Sequence, residues 1–424
     1  MSDQARLNFI AAVRAGETAE VAALLRRAPG LVAEIDAPIV GEEPAVVVAG
    51  RAEHYDLVDL LLSAGADINA VGPNSDGLRG VLHSSFSDRQ AGFLIERGIA
   101  LDAHGAARWA LSDRLAQMLT TDPDLARRPY VNRYSAMPLL HQARSPEIAA
   151  LILAHGAEID VRDTGFGGTA AQWGLVEISF RPGLSRYLIE QGGAGDVILY
   201  AGLGMTDRLS AELNRDPSLV HAKTGLPPLV PAPAPRGHIY TFMLGDATPL
   251  VVAAYRRQPE ACALLLARGA EVNAQETGFT PLHWAAAFGQ ESLARLLIAN
   301  GADPSIKDNN FQATALGWAI HNDQAGIAKL LAESLPELSL YEAAYCGRLE
   351  RVKALIDADP STALGPAEYP GGALRAATLG NHLEIVRLLL THGADPSLQS
   401  QDGRTALAIA EEKGHGEIAA LLRG

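Results

Sequence analysis

Twelve histidines and two cysteines are the residues of this 424-residue chain best suited to hold a metal or move protons. Their spacing argues against both uses. No two histidines have the separation that binds zinc from one helix face, and two cysteines cannot build a Cys-rich site. Cys262 and Cys346 fall within apolar helical patterns, where a thiol behaves as a small buried group of a reducing compartment. There is no Walker-type Gly-Lys-Thr loop and no G-x-S-x-G nucleophile elbow. Gly192-Gly193-Ala194-Gly195 follows no strand and so does not read as a dinucleotide loop. Neither a metal nor a cofactor is expected. One constellation has acid–base potential: His238 and Tyr240, in a loop insertion, acting with Asp163, Glu276 or Arg133. That chemistry would require the insertion to close over a concave site and exclude water.

The elements that must position these groups are short amphipathic helices. The clearest unit runs from Thr280 to Asn310. Thr280-Pro281 starts a first helix, Leu282 to Phe288, because proline tolerates the first helical turn. Gly289 ends it. A second helix, Gln290 to Ala299, carries its apolar face on Leu293, Leu296, Leu297 and Ile298, and Asn300-Gly301 closes it. Neither helix can bury its stripe alone, so each requires a neighbouring unit. The pattern returns clearly at Thr248 to Asn273, Thr314 to Ala332 and Gly371 to Asp395. It is looser at Pro44 to Asn69, Pro138 to Asp160, Thr169 to Ala194 and Thr405 to Leu422. The expected fold is an all-α solenoid of about thirteen helix-turn-helix units with short extended finger loops.

Some units close on Gly-Ala, as at Gly65, Gly156, Gly269, Gly301 and Gly393, and others on a proline, at Pro29, Pro123, Pro217 and Pro360. The regular recurrence of the proline-ended units divides the chain into blocks spanning 7–102, 103–195, 196–338 and 339–424. The third block carries an insertion, 225–246. Its first half is proline-rich and should be stiff and extended; its second half carries His238, Tyr240, Phe242 and Met243. A smaller irregularity lengthens the inter-helix turn at Ile178 to Gly183.

The phrase Thr280-Pro281-Leu282-His283-Trp284-Ala285, followed by Gly301-Ala302-Asp303, resembles the ankyrin repeat, whose consensus includes T-P-L-H-x-A in a unit of about 33 residues. The resemblance implies that finger-loop tips and first-helix faces line a concave groove, and that the groove binds protein. Carried over by position, the exposed tips are Tyr130, Arg133 and Tyr134, then Asp163 and Phe166, then Gln275, Glu276 and Phe279, then Asn309 and Phe311. With His238, Tyr240 and Phe242 of the insertion, the aromatic and arginine members of this set form the expected partner-binding surface. The competing reading is that Phe166, Phe279 and Phe311 pack on neighbouring loops and stabilise the stack. The resemblance also makes His83, His141 and His283 structural, through hydrogen bonds between units. Gln172 and Gly317 depart from that position. Trp173, Trp284 and Trp318 share one first-helix position, as core packing or as the floor of a ligand site.

A net charge of −14 argues against nucleic acid as partner and favours a protein with basic patches. No stretch approaches the roughly 20 apolar residues of a membrane span, and the N-terminal residues have no signal-peptide pattern. A cytoplasmic location is the expectation. Arg-, Ala- and Gly-rich composition points to a GC-rich bacterial source. The functional expectation is a protein–protein interaction scaffold. The alternative is an enzyme or small-ligand-binding protein on the same stack, with the insertion as a lid. That alternative would admit a small-molecule ligand, for which no motif speaks.

Overall fold

A computed structural model describes residues 3–38, 43–72, 78, 87–131, 136–176, 180–224, 239–242, 245–275, 277–335, 337–361, 372–400 and 403–424, with backbone alone at 3, 241 and 242. The chain forms two compact units. One comprises Met1–Gly174 and Ser179–Ala194 with Ala234–Arg236; the other comprises Leu175–Ile178, Gly195–Pro233 and Gly237–Gly424.

In the second unit, first helices pack side by side in chain order: Val197–Leu203, Pro249–Tyr255, Pro281–Ala287, Ala315–His321, Leu340–Tyr345, Gly372–Leu379 and Ala406–Glu412. Each packs on the second helix of its own repeat, as Pro281–Ala287 does on Glu291–Ala299. The local reasons are those of the sequence phrase. The Thr280 and His283 side chains cap each other's backbone at the helix start, and Pro281 occupies the first turn. Gly289 takes φ +67° in the inter-helix turn, a conformation that an L side chain adopts at a cost. Leu282, Ala285, Ala286, Leu293, Ala294 and Leu297 are buried, so the core between repeats is thin and aliphatic.

The proline-ended units terminate differently. Asp122 and Asp216 leave their helices in extended backbone, and Pro123–Ala126 and Pro217–His221 each form one turn of 3₁₀ helix. In the first unit two first helices are cut to about one turn, Leu139–Gln142 and Ala170–Trp173. A two-residue antiparallel ladder pairs Tyr130 with Met137 and Val131 with Ala136.

Ala110 occupies, with φ +53°, the inter-helix position that Gly16, Gly204 and Gly347 fill in the other proline-ended units. Ala110→Gly should therefore stabilise the protein by about 1 kcal/mol, the relief of left-handed backbone at a residue with a Cβ less the entropy of an added glycine. A urea midpoint that fails to rise would show that the turn carries no strain.

The ends of the insertion meet. Thr224 N donates to Ala247 O at 3.0 Å, and the Thr224 hydroxyl donates to Gly245 O. Ile239 and Tyr240 on its returning side are fully buried. No helix among the described residues is long and apolar enough to cross a membrane.

Candidate functional site

The aromatic residues of the second unit form one connected run across successive repeats. Trp284 lies 4.7 Å, ring centre to ring centre, from Tyr255 of the preceding repeat and 5.0 Å from Phe279 of its own finger loop. Phe279 also meets Trp318 of the following repeat edge-on at 5.4 Å, and Phe311 covers Trp318 at 5.7 Å. Phe288 stacks on Trp284 at 5.9 Å. Edge-to-face geometry matches the negative ring face of one partner to the positive edge of the other. Trp284, Trp318 and Phe279 are half-buried, and Phe311 is 47 % exposed. The run thus serves packing between repeats and still presents ring surface to solvent.

A carboxylate sets each of two finger loops. Asp308 accepts from Asn310 N at 2.8 Å and Phe311 N at 2.6 Å on one oxygen, and from Ala313 N at 3.0 Å and the Trp318 indole N–H at 3.1 Å on the other. Burial pushes its carboxyl up, but the hydrogen bonds from Phe311, Trp318, Ala313 and Asn310 outweigh this and hold it below the ordinary carboxylate range. In the first unit Asp163 repeats the arrangement with Gly165 N, Phe166 N, Gly168 N and the Trp173 indole N–H, at 2.8, 2.6, 2.9 and 2.9 Å. Phe166 accordingly lies edge-on to Trp173 at 5.9 Å. The signal in the sequence is Asp-x-x-Phe-x-x-Thr-x-x-x-Trp, at Asp163 to Trp173 and again at Asp308 to Trp318. In the repeat immediately before that of Trp318, Ala274 stands in the Asp slot, and the buried Trp284 indole nitrogen has no partner among the described residues.

Two residues expected at the surface are buried. Asp163 is 3 % exposed with its oxygens committed to the finger loop, because two-residue and three-residue backbone turns need an acceptor there. Tyr240 is fully buried and donates its hydroxyl to Asp196 at 2.8 Å, so it anchors the insertion in the core. Tyr130 is half-buried beside His104, 5.9 Å away. Arg133, Tyr134, His238 and Glu276, and the Phe242 side chain, lie outside the described residues.

His283 and His141 bridge repeats. His283 Nδ1 faces Thr280 N at 3.2 Å, and Nε2 meets Ala313 O of the next repeat at 3.1 Å. His141 Nε2 meets Gly168 O at 2.9 Å in the same way. Burial pushes the Cys262 thiol up to about 12 and that of Cys346 to about 11, so neither is a thiolate at neutral pH. Among the described residues no group of three or more His, Cys, Asp or Glu side chains is arranged to hold a metal.

Beyond Trp318 the run of rings opens into a cavity of about 590 Å³. It lies between the Ala315–His321, Leu340–Tyr345 and Gly372–Leu379 helices, with Phe311 and Lys307 of the finger loop at one side. Tyr341, Arg375 and Lys307, which line it, had no distinguishing mark in the repeat phrase. The legible signal was an absence: Gly317 occupies the slot that His283 fills one repeat earlier. Glu342 replaces the histidine in function. One oxygen accepts from the Thr314 hydroxyl of the preceding repeat, and the other from Ser339 N at 2.8 Å and Ser339 Oγ at 2.7 Å.

Comparison with known proteins agrees with this architecture. A family model for three-copy ankyrin repeats matches residues 236–308 and 340–424, and one for the single ankyrin repeat matches residues 45–73. The chain is 30% identical over 177 residues to the putative ankyrin repeat protein YahD of Escherichia coli, covering 37% of this chain and 85% of that protein. It is 30% identical over 217 residues to the ankyrin repeat and KH domain-containing protein mask-1 of Caenorhabditis elegans, covering 42% of this chain and 8% of the relative. It is 29% identical over 304 residues to the mitochondrial disaggregase of Bos taurus, covering 67% of this chain and 40% of the relative. The chain therefore spans less than half the length of the latter two. It belongs to the ankyrin-repeat family, whose repeats generally mediate protein–protein interaction.

Proposed function

We propose that the protein binds a partner protein through the aromatic run of its second unit, with Phe279 and Phe311 as contact residues and the half-buried Trp284 and Trp318 beneath them. The observation that carries this reading is that Phe311 remains 47 % exposed although it is packed on Trp318. Large exposed aromatic surface supported from below is the usual make-up of an interaction hot spot. Tyr130 and Phe166, with Arg133 and Tyr134, would extend the contact set in the first unit, and the 226–243 insertion with His238 and Phe242 would add to it. The net charge of −14 would steer a partner with basic patches by long-range attraction.

The test is capture from extract of the native cell with the intact chain and with Phe311→Glu. The variant removes a ring that also packs on Trp318, so its helicity should match the parent while its melting falls slightly. One protein retained by the parent and reduced at least tenfold on the variant, about 1.4 kcal/mol, is the expected result. Undiminished capture of every retained protein would remove Phe311 from the interface.

A further inference from the structure

From the cavity beside Trp318 we infer a binding site for an aromatic carboxylate, a flat ring bearing one anionic group. This goes beyond the partner-binding reading and does not depend on it.

The space exists because side chains that fill it elsewhere are missing. Gly317 supplies no imidazole where His283 has one, and a Cβ added there would find only Ala313 within 3.4 Å. Gly372 and Ala373 line the opposite side, and a Cβ at Gly372 would meet only the Tyr341 ring, at 3.6 Å. A volume of about 590 Å³ lies within the range of small-molecule sites. The walls are aromatic: Trp318, Phe311 and Tyr341. These suit a flat apolar group by offset or edge-on contact.

The polar groups select the charge. Glu342 is the acidic side chain lining the cavity, and both of its oxygens already accept from Thr314 or Ser339. Lys307 is exposed at the cavity and has no acidic partner among the described residues. Arg375 lines the cavity and lies near enough to Tyr341 for its charge to act on the phenol. Tyr341 lines the cavity, and its hydroxyl makes no hydrogen bond to another described residue. The Lys307 ammonium and the Tyr341 phenol on an aromatic-walled space, with the Arg375 charge on the same lining, match a carboxylate on a ring. A free small molecule and the C-terminal aromatic residue of a peptide share this chemistry.

Titration calorimetry on the full chain tests it, using 2-naphthylacetate, the neutral 2-naphthylacetamide, and a tetrapeptide ending in Phe with a free or amidated C-terminus. We expect one site per chain and at least tenfold weaker binding of each amide than of its acid. Gly317→His, which restores the residue of the neighbouring repeat, should abolish binding; its Cβ would press on Ala313 at 3.3 Å, so its folding is checked by dichroism and the exposed-site variant below tests the site without touching the core. Lys307→Gln, at an exposed position that cannot threaten the fold, should weaken the acids at least fivefold and leave the amides unchanged. Tighter binding of the naphthyl acid would identify a small-molecule site, and tighter binding of the free-acid peptide a C-terminal one. Equal affinity for acid and amide, an unaltered affinity in Lys307→Gln, or no heat from either acid at millimolar concentration would overturn the inference.

Discussion

Asp308→Ala should destabilise the second unit by roughly 3 kcal/mol, because it removes the acceptor of four part-buried donors at once. The carboxylate accepts three backbone N–H groups of the finger loop and the Trp318 indole N–H, and Asp308 itself is fully buried. A methyl group satisfies none of them, and loop backbone without an acceptor has no alternative partner inside the stack. Asp308→Asn separates charge from geometry. Its amide oxygen can still accept from the turn, but its NH₂ group faces donors on the other side, so an intermediate loss is expected. The two variants are compared by urea denaturation followed by far-UV dichroism, with Trp318 fluorescence as the local probe. If Asp308→Ala lowers the midpoint no more than an exposed-site control such as Asp395→Ala, the carboxylate does not organise the finger. The natural counterpart is the neighbouring repeat, which has Ala274 in this slot and carries Phe279 directly before Thr280 instead. There the ring packs between Trp284 and Trp318 without a carboxylate beneath it. Position within the finger, as well as the carboxylate, decides where the ring lands.

This contrast shows which features a repeat sequence exposes to reading. Helix starts at Thr248, Thr280 and Thr314, and the buried faces at Leu293 and Leu297, follow from local rules of capping and 3.6-residue periodicity, which act within one repeat. The bridging role of His283 was legible for the same reason, since it touches only the next copy of a known unit. Asp163 and Tyr240 sit in loop segments, where position alone implies exposure, yet both are buried. A loop residue is buried when the backbone around it needs an acceptor, as at Asp163, or when a partner 44 positions away takes its hydroxyl, as Asp196 does for Tyr240. Neither condition is a property of the residue's own window. The cavity is the extreme case. It is lined by Gly317, Tyr341 and Gly372 in three successive repeats, of which Gly317 alone departs visibly from the repeat phrase. The glycine in a slot that holds histidine at 141 and 283 marks lost volume, but the residues across the gap come from other repeats and carry no local mark.

The same slot yields the second large effect, which is pH-dependent. His141 is 4 % exposed, and its Nε2 faces Gly168 O at 2.9 Å. A carbonyl only accepts, so Nε2 carries the hydrogen and Nδ1 is the nitrogen that acid would protonate. Nδ1 is buried with no hydrogen-bond partner among the described residues. Burial therefore pushes His141 down to about 4; the Gly168 carbonyl and the Asp163 charge oppose the shift, and Arg181 adds to it. Arg181 is held there by its own bonds to Ala143 O and His141 O, and burial together with Arg108 and Arg144 pulls it down to about 10. The unfolded chain protonates this histidine near 6.5, while the folded chain resists until about 4. Between those values the unfolded state binds more protons, so stability is complete above pH 6.5 and falls as the pH drops toward 4. The difference amounts to roughly 3 kcal/mol for His141, and His283 and His382, both lowered chiefly by burial, act in the same direction. Carboxylates held low, such as Asp308, lose their contribution only as the pH falls through the carboxylate range, below this window. Urea midpoints at pH 7, 6 and 5 should therefore decline steadily in the parent. His141→Gln should flatten the decline, since Gln172 fills the same slot one repeat later and caps Thr169 N with its side-chain oxygen at 3.0 Å. A parent whose midpoint is constant from pH 7 to 5 would mean that His141 is hydrated or already charged in the folded state. An unchanged slope in His141→Gln would assign the effect to the other bridging histidines.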